Sequence, residues 1–158
     1  MRKKRQYKRS HKPDSIYKDI AIERFTNYVM EKGKKSIAER VVYDALEKVA
    51  SVIKKDAPEV FHKAIENASP VVEVVSRRVG GANYQIPEEV SPTRRFILAT
   101  RWIIEAARGK KGKNISDRLA EEIIAAYKNE GAAIKKKQDV HRMAEANRAF
   151  AHFARKRS

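Results

Sequence analysis

The chain contains no cysteine, so disulfides, thiolate metal sites and cysteine nucleophiles are all excluded. Long apolar runs are missing as well. None approaches the roughly 18 residues that a membrane-spanning helix requires, and the basic amino terminus lacks the apolar stretch of a secretory signal. A soluble cytoplasmic protein is therefore expected. Acid is scarce, and none occurs before Asp14.

Positive charge is abundant instead. Thirty-six Lys and Arg against 20 Asp and Glu leave a net charge of +16 on 158 residues. The cations are clustered: Arg2, Lys3, Lys4, Arg5, Lys8, Arg9 and Lys12 open the chain, and Arg155, Lys156 and Arg157 close it. Between them lie Lys34-Lys35, Arg77-Arg78, Arg94-Arg95, Arg108 with Lys110, Lys111 and Lys113, and Lys135-Lys136-Lys137. Such a molecule repels itself and calls for a polyanion, which points to nucleic acid. A hydrophobic fraction of 42% supports a single domain with a real core.

The periodicity predicts a mainly α domain of about six helices over residues 14–154. It follows a basic arm at 1–13 that is too charged to fold alone, and a basic tail occupies 155–158. The first helix begins between Asp14 and Asp19, carries Ile22, Phe25 and Val29, and is stopped by Gly33. Ser36 and Glu39 have the spacing of a capping box for the second helix, whose apolar side runs from Ala38 to Ile53. Pro58 opens the third, with Phe61, Ala64, Ile65 and Ala68 inward.

The period changes after Pro70. Residues 71–79 and 84–90 are rich in β-branched side chains, and Gly80-Gly81-Ala82-Asn83 supplies a turn, so a two-stranded hairpin is predicted at about 71–90. An isolated ribbon is marginal in water, and its tip is expected to project. Ser91 and Pro92 then start a fourth helix, and Ser116 caps a fifth that stops near Gly131. A sixth spans about 135–153, with Val140, Met143, Ala144, Asn147, Phe150 and Ala151 as its stripe.

The fourth helix carries the sharpest geometric argument. Arg94, Arg101 and Arg108 are seven residues apart, so each lies only about 20° around the axis from the last. They oppose Phe96, Ile103 and Ala107 and can meet successive phosphates, each with a planar fork; the plainer reading is a solvated face. Trp102 beside them reads as core. On the sixth helix, His141, Arg148, His152 and Arg155 form a donor-rich edge. His141 and Glu145 suit helix-surface pairing better than a metal site. Arg77 and Arg78 are adjacent in a strand and reach opposite sides of the ribbon.

Catalytic templates fail. Neither Gly33-Lys34-Lys35-Ser36 nor residues 109–114 has the spacing of a phosphate-binding P-loop. His11 and His62 have no neighbours of catalytic type, and the adjacent pairs Glu88-Glu89 and Glu121-Glu122 should diverge. No enzyme, cofactor or metal site is expected.

These same residues carry a resemblance. Gly33-Lys34-Lys35-Ser36 leading into Val41-Val42 and Ala45-Leu46 matches a known signature, as do Ser76-Arg77-Arg78-Val79-Gly80-Gly81, Tyr84-Gln85-Ile86-Pro87 and Pro92-Thr93-Arg94-Arg95. Arg101-Trp102-Ile103, Glu105 to Arg108 and Val140 to Asn147 through Phe150-Ala151-His152 agree too. Over residues 14–154 the chain closely resembles bacterial-type ribosomal protein seven of the small subunit.

The resemblance implies a helical domain with an extended hairpin that binds the 3′ major domain of 16S-type small-subunit rRNA early in assembly and organises the head. It implies exit-site tRNA and mRNA near the hairpin, with head and platform proteins as neighbours, and neither a membrane nor a small-molecule substrate as partner. Read from the charge clusters, the expected rRNA-binding set is Arg2, Lys3, Lys4, Arg5, Lys8 and Arg9 in the arm, which matches the family only by charge, then Lys34, Lys35, Arg94, Arg95, Arg101, Arg108, Lys110, Lys111, Lys113, Lys135, Lys136, Lys137, Arg142 and Arg148. Arg77, Arg78, Gly80, Gly81 and Tyr84 of the hairpin would lie near tRNA and mRNA. The rival is a DNA-binding architectural or regulatory protein that places the fourth or sixth helix in a major groove.

Overall fold

Asp14 is almost fully buried in the computed structural model, which describes residues 11–153. Its carboxylate accepts the N–H groups of Ile16 and Tyr17 and the Tyr43 hydroxyl, at 3.0, 2.9 and 2.6 Å. Burial alone would raise this carboxyl's pKa, but those hydrogen bonds outweigh it and hold the group below the usual carboxylate range. Helix α1 (Ile20–Val29) then starts on Asp19, whose carboxylate accepts from the N–H groups of Ala21 and Ile22.

Five further α-helices follow: α2 (Lys35–Ile53), α3 (Ala57–Ala68), α4 (Pro92–Gly109), α5 (Ile115–Tyr127) and α6 (Gly131–Ala146). Strands β1 (Val72–Val79) and β2 (Ala82–Glu89) lie between α3 and α4 as an antiparallel ribbon. Helix α5 is central, packing against α2, α3, α4 and α6. Its Leu119, Ala120, Ile123 and Ala126 meet Leu46, Val49, Phe61, Ala64, Ala99 and Ile103 in one continuous core. Phe25 and Phe61 pack edge to face at 5.1 Å. Each fully buried side chain of this size contributes about 1.5–3 kcal/mol, so the body is held by apolar area.

Several expected boundaries moved. Ser36 does not cap α2: the cap position is Lys34, Ser36 lies inside the helix, and Glu39 pairs with Lys35 at 3.8 Å instead. Ser116 is likewise inside α5 and buried, and Asn114 holds the cap position. Gly131 begins α6 rather than ending α5. Its φ of +93° and the Glu122 Oε1 atom 2.8 Å from where a Cβ would stand leave room for glycine alone.

That glutamate supplies what α6 lacks locally. Glu122 is 1% exposed, and its Oε1 accepts the Ala133 N–H at 3.0 Å, capping a helix that has no side-chain cap of its own. Lys110 Nζ lies 3.0 Å from its other oxygen, so the buried charge is compensated.

The sixth helix is shorter than expected. It ends at Ala146, where Asn147 Nδ2 donates back to the Met143 carbonyl at 2.8 Å, and a 3₁₀ helix Arg148–Phe153 continues the chain. Val140 and Ala144 are buried as predicted, but Met143 is 51% exposed and Ala151 is also exposed. Asn147 closes its own helix instead of joining the core. The Arg155 end of the predicted donor edge lies outside the described residues.

In the ribbon the turn is tighter than the four residues expected. Val79 pairs with Ala82, and Gly80 and Gly81, at φ +58° and +92°, make the two-residue connection that positive φ permits. The ribbon does not stand alone. Tyr84 packs on Phe150 and Phe153 of the 3₁₀ helix, with ring centroids 5.3 and 5.5 Å apart, and Ile86 is fully buried. No helix among the described residues is long and apolar enough to cross a membrane.

Candidate nucleic-acid interface

Helix α4 presents Arg94, Arg101 and Arg108 on its exposed side while Leu98, Ala99, Ile103, Ile104 and Ala107 are buried opposite. Trp102 is 8% exposed and belongs to the core, as read from the sequence. Phe96 is half-buried rather than fully inward, and the Arg24 guanidinium lies over its ring at 4.3 Å.

The three arginines are not equivalent. Arg94 pairs with Glu73 at 3.3 Å. Arg108 lies 2.7 Å from Glu31 and donates to the Val29 carbonyl at 3.2 Å, closing the C-terminal end of α1. Arg101 has no ion pair among the described residues and faces solvent. Arg95 is half-buried and donates to the Val90 carbonyl at 3.0 Å. An apolar groove of about 420 Å³ has both Lys34 and Arg108 in its lining, together with Ile37, Val41, Ile104 and Ile115. The sequence gives no hint of that shared lining, since Lys34 precedes α2 and Arg108 lies at the end of α4, far apart in the chain.

Around the 109–114 loop, Lys110 contacts both Glu121 and Glu122, at 3.8 and 3.0 Å. Adjacent glutamates that should diverge thus converge on one ammonium that reaches between them. Lys113 also pairs with Glu121, which raises the lysine and lowers the glutamate through their hydrogen bond. Lys111 is exposed and has no ion pair among the described residues. Arg118, absent from the sequence-based set, is structural: its guanidinium donates to the Arg108 and Lys110 carbonyls and holds the end of α4.

Lys35 lies 2.6 Å from Glu23, whose hydrogen bond raises the lysine pKa. The 135–137 run splits. Lys135 and Lys136 are exposed, whereas Lys137 donates to the Asn67 carbonyl at 2.7 Å, and burial lowers its pKa. Arg142 and Arg148 are exposed and pair one helical turn back, with Asp139 and Glu145. His141 does not pair with Glu145. Its Nε2 accepts the Val71 N–H at 3.1 Å, joining α6 to the root of the ribbon, and burial followed by the Lys137 charge lowers its pKa. His62, which has no suitable neighbour in sequence, meets Asp19 at 2.5 Å.

On the ribbon the alternation holds. Arg77 shares a face with Tyr84 and pairs with Glu88, while Arg78 lies opposite Asn83 on the other face, exposed and without an ion pair among the described residues. The arm residues Arg2, Lys3, Lys4, Arg5, Lys8 and Arg9 lie outside the described residues. Exposed single ion pairs contribute only about 0–1 kcal/mol each, so the carboxylate partners of Arg108, Lys113, Arg142 and Arg148 hold those cations weakly.

Comparison with known proteins places the chain in a family. A family profile described as ribosomal protein S7p/S5e matches residues 1–148. The chain is 56% identical over 153 residues to the small ribosomal subunit protein uS7 of Thermotoga maritima, covering 97% of this chain and 99% of that one. Its identity to the uS7 of Thermosipho africanus is 55% with the same coverage, and to that of Chloroflexus aggregans 55%, covering 90% of this chain and 91% of that one. By both measures, the chain belongs to the ribosomal protein S7p/S5e family.

Proposed function

We propose that this protein is a primary rRNA-binding component of the small ribosomal subunit in the cytoplasm, binding the 3′ major domain and organising the head during assembly. Its role is structural and involves no catalytic step. The observation that carries the reading is the exposed arginine side of α4, flanked by the Lys34–Arg108 groove at one end and the ribbon at the other. Family membership, with relatives named as small ribosomal subunit proteins, supports it. The cations at 1–13 and 155–158 add to the positive charge that rRNA neutralises, and the hairpin tip with Arg78 addresses exit-site tRNA and mRNA. Neighbouring head and platform proteins complete its surroundings.

Phosphate contacts dominate such an interface, because RNA's deep major groove hides base edges and the cations are many. With about six to ten phosphates neutralised, affinity should fall by about 10³–10⁵ between roughly 50 and 200 mM salt. A filter-binding titration against a transcript of the 3′ major domain, with duplex DNA of equal length as competitor, tests this. Steep salt dependence with preference for the transcript is the expected result. Equal binding of the two polymers would favour the DNA-binding rival, and a flat salt dependence would contradict both.

A further inference from the structure

Two carboxylates sit directly opposite each other at the root of the ribbon: in the register of β1 and β2, Glu73 pairs with Glu88. Like charges at such positions are destabilising, yet each is answered by one arginine. Arg94 of α4 donates through both Nε and Nη2 to Glu73 Oε2, at 3.3 Å each. Arg77, on the same ribbon face, pairs with Glu88 Oε1 as an ion pair outside hydrogen-bonding geometry.

Exposure divides these four side chains unevenly. Glu73 and Glu88 are 22% and 14% exposed, whereas Arg94 and Arg77 are 44% and 34% exposed. In each pair the acid is the more enclosed side chain and the arginine the more exposed one. Arg94 meets Glu73 with its Nε edge, which leaves the end-on fork of Nη1 and Nη2 free for a phosphate.

We propose that Glu73 and Glu88 are positioning residues for RNA binding, holding Arg94 and Arg77 across the junction of ribbon and α4 so that both address the phosphates of one RNA strand. The proposal rests on the RNA-binding function above and names a locus within it. An arginine already held by a carboxylate loses less rotamer freedom when it takes a phosphate, so more of the contact energy appears as affinity. The ordinary expectation for a protein that binds a polyanion is that removing a negative charge tightens binding. At Glu73 and Glu88 the sign reverses.

The test uses full-length variants E73Q and E88Q with E89Q as control, since Glu89 is exposed on the opposite face. Each is titrated with the 3′ major domain transcript and with a mixed-sequence RNA duplex at one salt concentration. E73Q should weaken transcript binding by about tenfold, the size expected of one charged hydrogen bond. E88Q should weaken it in the same direction, with duplex binding unchanged or tighter for both. E89Q should weaken neither.

In an R94A background, E73Q should have no further effect on the transcript. R94K, which keeps the charge but loses the fork, should bind the transcript like R94A and the duplex like the parent, and it keeps the idea testable if E73Q does not fold. Tighter binding of both RNAs by E73Q and E88Q, an undiminished E73Q effect without Arg94, or parental transcript binding by R94K would each overturn the proposal. A parent protein that ignores the transcript brings down the RNA-binding function itself, which is visible before any variant is made.

Discussion

In the helical body Ile22, Phe25, Val49, Val60, Ala64 and Ile103 have no exposed surface, whereas along the ribbon only Ile86 reaches that state. The body gains stability from area, spread over many side chains. The ribbon is held by a few directed contacts: Tyr84 on Phe150 and Phe153, the Val71 N–H on His141, and Arg94 on Glu73. Area-based stability is not screened by salt as ion pairs are. Directed contacts open locally at lower free energy, so the ribbon can shift without unfolding the scaffold.

The contrast is broken most severely in the body. Phe61→Ala removes a ring that is 1% exposed and packed on Phe25, and should cost about 3–5 kcal/mol. Urea unfolding followed by far-ultraviolet circular dichroism measures it; a loss below about 1 kcal/mol would show that the core is not the source of stability.

Next is Gly131→Ala. It forces a side chain into φ +93° and against Glu122 Oε1, displacing the carboxylate that caps α6, at a cost of about 1–3 kcal/mol. A neutral effect in the same unfolding assay would mean that the Glu122 cap contributes nothing.

Tyr84→Ala sharpens the comparison from the other side. It should lower the opening free energy of ribbon amides by about 0.5–1.5 kcal/mol in hydrogen exchange while the exchange of α5 amides stays unchanged. Equal loss in both regions would join ribbon and body into one cooperative unit.

The smallest effect is pH-dependent. His141 must be neutral at Nε2 to accept from Val71, and its folded-state pKa lies below the ordinary 6.5. Its contribution is therefore complete above 6.5 and disappears as pH falls through the lower folded value. The Val71 amide resonance should move across that acid range in the parent and stay still in His141→Gln. Movement that persists in the variant would assign the titration to another group.

Much of the body was legible in the sequence, because a helix needs only a periodic apolar face. Phe61, Ala64, Ile65 and Ala68, or Leu119 and Ile123, occupy the faces their spacing assigns. Helix ends were less legible. Ser36 and Ser116 have the right chemistry for caps but sit inside their helices, and the working cap of α6 comes from Glu122 on another helix. Local rules register what a residue can bond, not which partner the fold delivers. The break at Asn147 was hidden for the same reason, since an apolar stripe continues past it in sequence.

The candidate site was half legible. Arg94, Arg101 and Arg108 share one exposed side, as a seven-residue interval requires of any helix. Which of them is engaged was not visible: Glu73 lies 21 residues from Arg94, and Glu31 reaches Arg108 from the loop that follows α1. The ribbon strands and their glycine turn were readable from β-branching and positive-φ tolerance, but the aromatic backing by Phe150 and Phe153 was not.

By itself, then, the amino-acid order determined the charge, the helical periods, the ribbon and the alternation that separates Arg77 from Arg78, because each depends on near neighbours and on composition. The tertiary structure alone decided which cations are tied to carbonyls, which to carboxylates, and which face solvent. Those outcomes depend on distances between elements, and ion pairing is settled by whatever charge the fold brings within a few ångströms.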